Sequence, residues 1–453
     1  MDTPEHDPTP VPSVDRRTFL KVGGAAGVAA AAGGLEGILA AGRAPAYAQA
    51  TKLHIVRWND FIPEADVELR RQAPEASKAL GAEVTFEFIN ANDLQPRITA
   101  AIQSGSGADI FQMLWNWPHL YARALTDVSD VADPIGKAQR GFYDVFNSAA
   151  EVGGKWLAVP HSITGNAVAY RRSWHAEIGV KEFPKTWDEW RQVGKKLKAK
   201  GKPVGQALGH SFGDPPTFAY PLLWDFGGAE TDKSGKKVVI NTKGAVEAVK
   251  FMQAFWKDAC DEGGLAWDDT NNNRAFHAGE ISASLNGASI YIVAKRKADA
   301  IKDEKGEPMW HDIDHAALLP AGPAGQFALY FPSQHAVMKY SKNQKLAKDF
   351  LKWLHQKENY EKWFEANGAY SVGSTKVWEE HAMWSTVDKP LRVFQRAARN
   401  TLMLGHAGPA TAKATESYTK YVVVDMFARA VQGMKAEDAV KWAEGELKKI
   451  YEG

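Results

Sequence analysis

Apolar residues in the first part of the chain follow the patterns of buried strands. Residues 52–58, "KLHIVRW", are a mostly apolar run, and residues 82–89, "AEVTFEFI", place apolar side chains at every second position. That period of two is typical of a strand with one buried face. A third apolar run, "ADIFQML" at residues 108–114, completes a set of three predicted strands.

Helical patterns separate these strands. Residues 64–81 have helical composition, with an interruption expected near Pro74, and residues 92–107 begin at a capping asparagine and end in glycines. This strand–helix alternation predicts a parallel sheet with right-handed crossovers, and hence an α/β fold. Further helices are expected at residues 183–201, 241–263, 343–364 and 436–453. The first of these begins with a capping box formed by Thr186 and Glu189.

Two groups of polar and aromatic residues follow predicted strands. Parallel sheets of α/β proteins bind ligands beyond the carboxyl ends of their strands, so both groups are expected at one rim of the sheet. Indole rings can cover the C–H faces of a solute while amides bind its hydroxyl groups, but the same rings can also fill the core. The residues are Trp58, Asn59 and Asp60 after the first strand, and Trp115, Asn116 and Trp117 after the third.

Aromatic and short polar residues recur at the ends of other predicted elements. Taken singly, each is explained at least as well by packing as by ligand contact. Their recurrence favours a cleft for a neutral polyhydroxyl solute. The additional candidate residues are His161, Trp224, Asn286, Ser289, Tyr291, Tyr330 and Tyr370.

Composition limits the classes of protein that remain. A chain of 453 residues predicts two domains, and 45% apolar with 24% charged residues is typical of a soluble globular protein. The net charge of +1 gives no support for nucleic acid or an anionic membrane as the main partner. The one cysteine, Cys260, lies in a predicted helix. A single cysteine excludes intramolecular disulfides and cysteine-based metal sites.

The amino terminus has the features of an export signal. Residues 1–50 contain Arg16 and Arg17, a weakly apolar Ala/Gly region and small-x-small cleavage sequences before Thr51. The arginine pair followed by Phe-Leu resembles the twin-arginine signal, although Asp15 stands where that signal usually has Ser or Thr. We therefore expect residues 1–50 to be removed and the mature chain to be periplasmic.

The sequence lacks the motifs of P-loop nucleotide hydrolysis, zinc proteases, serine hydrolases and dinucleotide binding. His311 and His315 are interpreted as parts of a solvated loop. The acidic, Asn-rich residues 267–276 lack the glycine and terminal Glu of an EF-hand loop, and Asn273 is interpreted as a cap or turn residue. A glycosidase needs two carboxylates that face each other, which one sequence does not show. We therefore predict no catalytic residue, no metal and no cofactor.

Six segments, in order, resemble the family 1 extracellular solute-binding proteins of ABC importers, the group that includes the maltodextrin-binding protein. Each motif is weak alone, but six in order behind an export signal are together fairly specific. The segments are "SGSGADIFQM", "GGKWLAVPHSITGNAVAYRRSWHAEIGV", "FPKTWDEW", "FHAGEISASLNG", "SKNQKLAKDFLKWL" and "AVQGMKAEDAVKWAEGELKKI".

The resemblance implies a periplasmic-binding-protein fold. In that fold two lobes, each with a mixed or mostly parallel sheet flanked by helices, are joined by hinge strands. A solute that contacts both lobes would favour the closed form, because it binds that form better. The implied lobe segments are residues 51–165 (first lobe), 166–328 (second lobe), 329–368 (first lobe) and 369–453 (second lobe).

The resemblance also implies a function and further site residues. The chain would be a periplasmic receptor, expected to be monomeric, that delivers solute to the transmembrane subunits of an ABC permease powered by a separate ATPase. By the family pattern, the loop after "ADI" contacts the solute with Trp115, Asn116 and Trp117. A strand after "LNG" contributes Ser289 and Tyr291. The segment near the carboxyl end contributes an aromatic residue, here Tyr418.

Departures from the family pattern bear on the solute. Asn116 and Trp117 stand where the maltodextrin binder has charged residues, which disfavours a maltodextrin. Tyr330 and Phe331 replace a glycine-rich stretch that is common in the family, which favours a small ligand.

Three hypotheses remain open. The first is a receptor for a sugar or polyol. The second keeps the fold but binds a polyamine or another small solute, with Asp60 and Asp225 as ligands of a cation. The third is an exported carbohydrate hydrolase, which would need two functional carboxylates.

Overall fold

Two main β-sheets of different size organise the chain. The structure is a computed structural model that describes residues 51–316, 318–399 and 401–453. The strands are β1 (Lys52–Trp58), β2 (Glu83–Ile89), β3 (Ile110–Leu114), β4 (Glu151–Val152), β5 (Lys155–Trp156), β6 (Val159–Thr164), β7 (Ala167–Arg171), β8 (Ala283–Asn286), β9 (Ile313–Ala316), β10 (Phe331–Val337) and β11 (Ser371–Gly373). The larger sheet has the order β11-β6-β10-β3-β1-β2 and the smaller sheet the order β8-β7-β9, while β4 and β5 form a separate two-stranded sheet.

Helices of very different length connect the strands. The α-helices are α1 (Pro63–Leu80), α2 (Ala91–Ser104), α3 (Trp117–Leu120), α4 (Ser129–Ala138), α5 (Asp144–Ala150), α6 (Arg172–Ala176), α7 (Trp187–Lys198), α8 (Asp214–Asp225), α9 (Lys243–Ala259), α10 (Asn271–His277), α11 (Ser289–Arg296), α12 (Gln344–Leu354), α13 (Lys357–Asn367), α14 (Lys376–Glu379), α15 (Met383–Thr386), α16 (Ala412–Thr419), α17 (Val422–Val431) and α18 (Ala436–Tyr451). Short 3₁₀ segments are Ala122–Ala124, Glu262–Ala266, Met309–Asp312, Lys389–Phe394 and Ala397–Arg399.

The first three strands form the parallel arrangement predicted from the sequence. β1 pairs in parallel with β2 and with β3. β10 and β6 then continue the sheet with antiparallel pairing, so the larger sheet is mixed. The prediction of an α/β fold is confirmed. Because β1 and β3 are parallel neighbours, their carboxyl ends meet at one rim.

The chain passes from the larger sheet to the smaller one over two residues. β6 ends at Thr164 and β7 begins at Ala167, so Gly165 and Asn166 form the crossing. β7 pairs antiparallel with β8 and β9, and Val204 adds parallel bridges to Cys260 and Ala283.

Both sheets belong to one compact unit, residues 52–453. The lobe segments inferred from the resemblance stay a prediction. The antiparallel pairing of β11 with β6 joins a strand from beyond residue 368 to the larger sheet. In the described part of the chain, no helix is both long and apolar enough to span a membrane.

Several local expectations differ from the structure. α1 runs through Pro74 without interruption, because its buried stripe, including Leu69 and Ala76, packs against the sheet and outweighs the lost hydrogen bond. α9 ends at Ala259, so Cys260 lies just beyond the helix and not in it. His315 lies on strand β9 and is buried, so the expected solvated loop is wrong there.

Candidate functional site

Two adjoining cavities lie between elements of the larger and the smaller sheet. A small cavity and a larger one share Phe61, Phe212 and Asp269 in their walls. We refer to the two together as the cleft. One side of the cleft comes from the segment after β1 and the start of α2. The other comes from the loops before α8 and α10 and from the end of β8.

Aromatic rings form one wall of the cleft. Phe61, Phe212 and Phe331 line it and surround the buried Trp58, with ring centroids 6.0, 5.4 and 5.8 Å from that indole in edge-on arrangements. Tyr370 also lines the small cavity, 6.0 Å from Phe61. Edge-on pairs of this kind hold rings in fixed orientations, so the wall is preorganised.

Asp269 supports the backbone at the start of α8. Its two carboxylate oxygens accept hydrogen bonds from Gly213 N (3.1 Å), Asp214 N (2.7 Å) and Ser211 Oγ (2.5 Å). Burial raises the pKa of Asp269 to about 6, against the effect of these hydrogen bonds. Asp269 therefore caps a helix that is distant in sequence, and places Asp214 at the cleft.

Asp214 lies at the centre of a network of amides. Its Oδ2 accepts from Asn272 Nδ2 (2.7 Å) and from Asn286 Nδ2 (3.1 Å). Burial, followed by the nearby Asp269, raises the pKa of Asp214 well above its ordinary value. An acid held in this way binds best to a group that donates hydrogen bonds or carries positive charge.

Asp60 lines the large cavity on the opposite side. Its Oδ1 accepts from Ile62 N (2.9 Å), and its own N–H donates to Asp66 Oδ2 (2.9 Å). Burial, with the neighbouring Asp66 as the second cause, raises the pKa of Asp60 to about 7. Both sides of the cleft therefore present a buried carboxyl group.

Five residues predicted from the sequence meet in the cleft: Asn59, Asp60, Asn286, Ser289 and Tyr370. Ser289 Oγ donates to Asn286 Oδ1 at 2.9 Å, which fixes the amide that also binds Asp214. The expected strand carrying Ser289 and Tyr291 is wrong, because both lie on helix α11.

Trp115 lies outside the cavity walls and is fully buried. Its φ of 53° is in the left-handed region that non-glycine residues rarely adopt. Three hydrogen bonds hold this conformation: its N–H donates to Pro332 O (3.0 Å), its carbonyl accepts from Gln334 Nε2 (2.6 Å), and its indole donates to Phe212 O (3.0 Å). Trp115 thus joins the end of β3 to the loop that carries Phe212.

Asn116 and Trp117 are also buried and line neither cavity. Asn116 O accepts from Thr415 Oγ1 at 3.0 Å, and its amide donates to Thr411 O at 3.4 Å, so it contacts the start of α16. Trp117 is the first residue of α3. A role of these residues in solute binding stays a prediction.

The other candidates lie near the cleft or away from it, and none of them lines either cavity. Tyr418 donates to Phe212 O at 2.6 Å, beside the bond from Trp115. Tyr291 donates to Asp388 at 3.0 Å, Tyr330 N–H donates to Thr401 Oγ1 at 2.8 Å, and Trp224 packs edge-on against His406. His161 lies in a buried histidine cluster, and Trp58 lies behind the aromatic wall.

Sequence reasoning missed or misplaced several lining residues: Phe61, Asn166, Phe212, Asp214, Asp268, Asp269 and Thr270. No role was predicted for Asp268 and Asp269, which both form part of the wall. A signal was present for Phe212 and Asp214, because "GHSFGDPP" combines glycines, an aromatic residue and a helix start. Asp225, the expected cation ligand, is fully buried and accepts instead from Trp187 Nε1 (2.6 Å) and Phe327 N (2.8 Å).

One buried cluster has the side chains to hold a metal ion. His161, His335 and His355 have ring nitrogens within 4.8 Å of one another. Arg57, however, hydrogen-bonds to Nε2 of His335, so a cation already lies beside the three rings. Burial lowers the pKa of all three histidines, to about 3 for His355, which keeps them neutral.

The matching family model and two similar proteins are all described as binding proteins. A family model described as "Bacterial extracellular solute-binding protein" matches residues 67–361, more than half of the chain. A probable ABC transporter-binding protein of Deinococcus radiodurans is 25% identical over 324 residues, which cover 68% of this chain and 74% of the relative. The diacetylchitobiose binding protein DasA of Streptomyces coelicolor is 28% identical over 295 residues, 62% of this chain and 64% of the relative, just under two thirds of its length.

The fold has solved counterparts as well. Maltose-bound MalE3 of T. maritima superimposes with a TM-score of 0.74 at 21% identity, covering 88% of this chain and all of the other. At that identity the likeness shows the fold, which is the periplasmic-binding-protein fold predicted from the sequence. Together with the match of the family model, it leads to one conclusion: the chain belongs to the family of bacterial extracellular solute-binding proteins.

Proposed function

We propose that this protein binds a sugar or polyol between its two sheets and delivers it to the transmembrane subunits of an ABC import permease. The observation that carries the proposal is the composition of the cleft. Aromatic rings, including Phe61 and Tyr370, stand beside the amides of Asn59 and Asn286 and the hydroxyl of Ser289. Rings suit the C–H faces of a polyhydroxyl solute, while amides and hydroxyls suit its OH groups.

The similar proteins support this solute class. DasA is named for binding diacetylchitobiose, and MalE3 was solved with maltose. A receptor of this kind acts as a monomer and has no turnover of its own, so the purified protein is expected to leave a chromogenic glycoside intact. Export to the periplasm by the twin-arginine route completes the proposal. It rests on residues 1–50, which lie outside the described residues.

The test is thermal unfolding of the purified chain against a panel of sugars, polyols and polyamines. A ligand present at about 1,000 times its dissociation constant stabilises the folded state by about 4 kcal/mol, which gives a readable rise in Tm. We expect a rise with one family of sugars or polyols. A rise with polyamines alone would contradict the sugar or polyol class, and no rise with any compound would remove the support for a receptor of these solutes.

A pair of variants shows whether the cleft is the binding site. Asn286→Ala removes a buried amide from the small cavity and is expected to reduce the ligand-induced rise in Tm. Asn241→Ala is the control, because Asn241 is exposed and its amide bonds to Glu444 on the surface. Equal rises in both variants would place the solute elsewhere.

A further inference from the structure

The charged side chains that line the cleft are all of one sign. The two cavities are lined by Asp60, Asp214, Asp268 and Asp269, and by no lysine, arginine or histidine of the described residues. The carboxyl groups of Asp214, Asp268 and Asp269 repel one another when ionised, and a bound cation relieves that repulsion.

A basic side chain lies behind the aromatic wall. Arg57 is buried and hydrogen-bonds to Nε2 of His335. Its charge acts on Asp60 and Asp66 at a distance, but within the described residues it forms no ion pair with either. Among the described residues, burial and the carboxylates of Asp269 and Asp268 raise the pKa of Asp214, and the amide of Asn272 lowers it, so no basic side chain there offsets the negative charge on that side of the cleft.

Hydrogen bonds from the protein leave some acceptor oxygens of the cleft unused. Among the described residues, the hydrogen bonds to Asp60 and Asp214 use one carboxylate oxygen of each, Oδ1 of Asp60 and Oδ2 of Asp214. Asn166 is 3% exposed and lines the small cavity. Its amide donates to Thr217, while its Oδ1 has no hydrogen-bond partner among the residues that the structure describes. A ligand that fits these groups must be rich in donors.

The rings of the cleft favour the same kind of ligand. Phe61, Phe212, Phe331 and Tyr370 all line the small cavity together with Asp214. An ammonium group within about 6 Å of a ring centroid is attracted by the negative face of the ring, and the attraction is larger in a desolvated site. Carboxyl groups and aromatic faces around one small space are the combination that recognises a protonated amine.

We propose that the solute of this receptor carries a protonated amine on a hydroxylated carbon skeleton, as in an amino sugar or an amino polyol. The ammonium group lies between Asp214 and Asp60, close to the aromatic wall, and the hydroxyl groups lie against the amides of Asn59, Asn90 and Asn92 in the large cavity. This inference rests on the proposed receptor function and narrows its solute class.

Closely related ligands with and without a protonated amine test the inference. Binding of glucosamine, glucose and N-acetylglucosamine, and of glucamine and sorbitol, is measured by titration calorimetry with the full chain. We expect each amine to bind at least about tenfold more tightly than its neutral partners, with an affinity that falls as salt rises. Spermidine, which has amines but no hydroxyl group, is expected to bind more weakly than glucamine.

The possible outcomes distinguish a failure of the inference from a failure of the proposed function. Equal or tighter binding of the neutral partners would contradict the inference that the solute carries an amine, but it would leave the proposed sugar or polyol receptor intact. Tighter binding of spermidine than of every hydroxylated amine would contradict the inference that the solute has a hydroxylated carbon skeleton. Binding of no compound would overturn the inference and the proposed function together.

A variant assigns the effect to the cleft acids. Asp60→Asn keeps an oxygen for the hydrogen bond from Ile62 and removes the charge, so we expect the affinity for the amine to fall at least about tenfold more than the affinity for its neutral partner. Glu230→Gln is the matched control, because Glu230 is another buried carboxyl with a raised pKa but does not line the cleft. An unchanged ratio of amine to neutral affinity in Asp60→Asn would overturn the role of Asp60 as the cation's partner.

Discussion

At Trp115 a rare backbone conformation and a fully buried indole occur in the same residue. The sequence suggested two roles for this ring, a wall of the binding site or a part of the core. The structure adds contacts that the sequence does not reveal: the indole donates to Phe212 O, and the ring lies 5.3 Å from Tyr418 and 5.6 Å from Phe331. These contacts make a large structural contribution from Trp115 the expected result.

Trp115→Ala is expected to lower the free energy of unfolding by about 3–5 kcal/mol, because it leaves a cavity and removes the hydrogen bond to Phe212 O. Urea unfolding at equilibrium measures the loss. Tyr418→Phe is the control: it removes one hydrogen bond to the same oxygen and should cost about 1 kcal/mol. If Trp115→Ala unfolds like the parent chain and loses only solute affinity, the ring is a ligand contact.

Glu230 provides a prediction of pH dependence. Its Oε1 accepts from Tyr220 (3.4 Å) and Ser417, its Oε2 has no partner, and burial raises its pKa to about 7 from an ordinary value of 4.5. Because the folded-state pKa is raised, the favourable contribution of Glu230 is present below pH 4.5 and is lost as the pH rises to about 7.

Glu230→Gln keeps the acceptor oxygen and removes the ionisation. We expect the variant to be more stable than the parent chain by about 3 kcal/mol at pH 8, with the difference shrinking below pH 7 and disappearing near pH 4. Urea unfolding of both proteins at a series of pH values measures this difference. A difference that does not vary between pH 4 and 8 would show that Glu230 does not titrate as described.

At the scale of elements, local sequence signals were reliable where the pattern was strong. The three parallel strands and the capping box of α7 were predicted and are present. Where the sequence suggested the wrong element, packing explains the difference. α1 continues through Pro74 since its apolar stripe is buried, and Ser289–Arg296 is helical although Ile290 and Ile292 favour strands, since the packed side chains decide the outcome.

Thr186→Ala tests the capping box of α7. Thr186 Oγ1 accepts from Glu189 N (3.3 Å), and Glu189 Oε2 accepts from Thr186 N (3.1 Å). Loss of the cap is expected to reduce the free energy of unfolding by about 0.5–2 kcal/mol, measured by urea unfolding. Thr186→Ser keeps the hydroxyl and should remain near the parent value; an equal loss in both variants would assign the effect to the methyl group.

At the scale of the whole molecule, the cleft requires both sheets. Asp60 follows β1 of the larger sheet, whereas Asp214 is the first residue of α8, near the smaller sheet. A solute that contacts both sides is stabilised most when the sides are close together, so its binding favours the closed arrangement. Under the proposed function, this coupling would let a permease distinguish the loaded receptor from the empty one.

The proposed export by the twin-arginine route concerns the whole chain and would depend on Arg16 and Arg17. Replacing both with lysine is expected to keep the protein in the cytoplasm of a bacterial host, because the twin-arginine route reads the arginine pair. Cell fractionation measures the periplasmic share. Asp15→Ser restores the usual residue of the signal and should leave export intact, while periplasmic protein from the double lysine variant would exclude this route.

The sequence by itself determined most of the elements and the α/β class, and six weak motifs in order resembled the family. The elements and the fold class depend on periodicity and caps, which act between residues that are near one another in the chain. The cleft was decided by the tertiary structure. Asp214 is bound by Asp269 and Asn286, which lie 55 and 72 residues further along the chain, so no local pattern brings them together. Burial then raises the pKa of these acids, and burial is known only once the chain has folded.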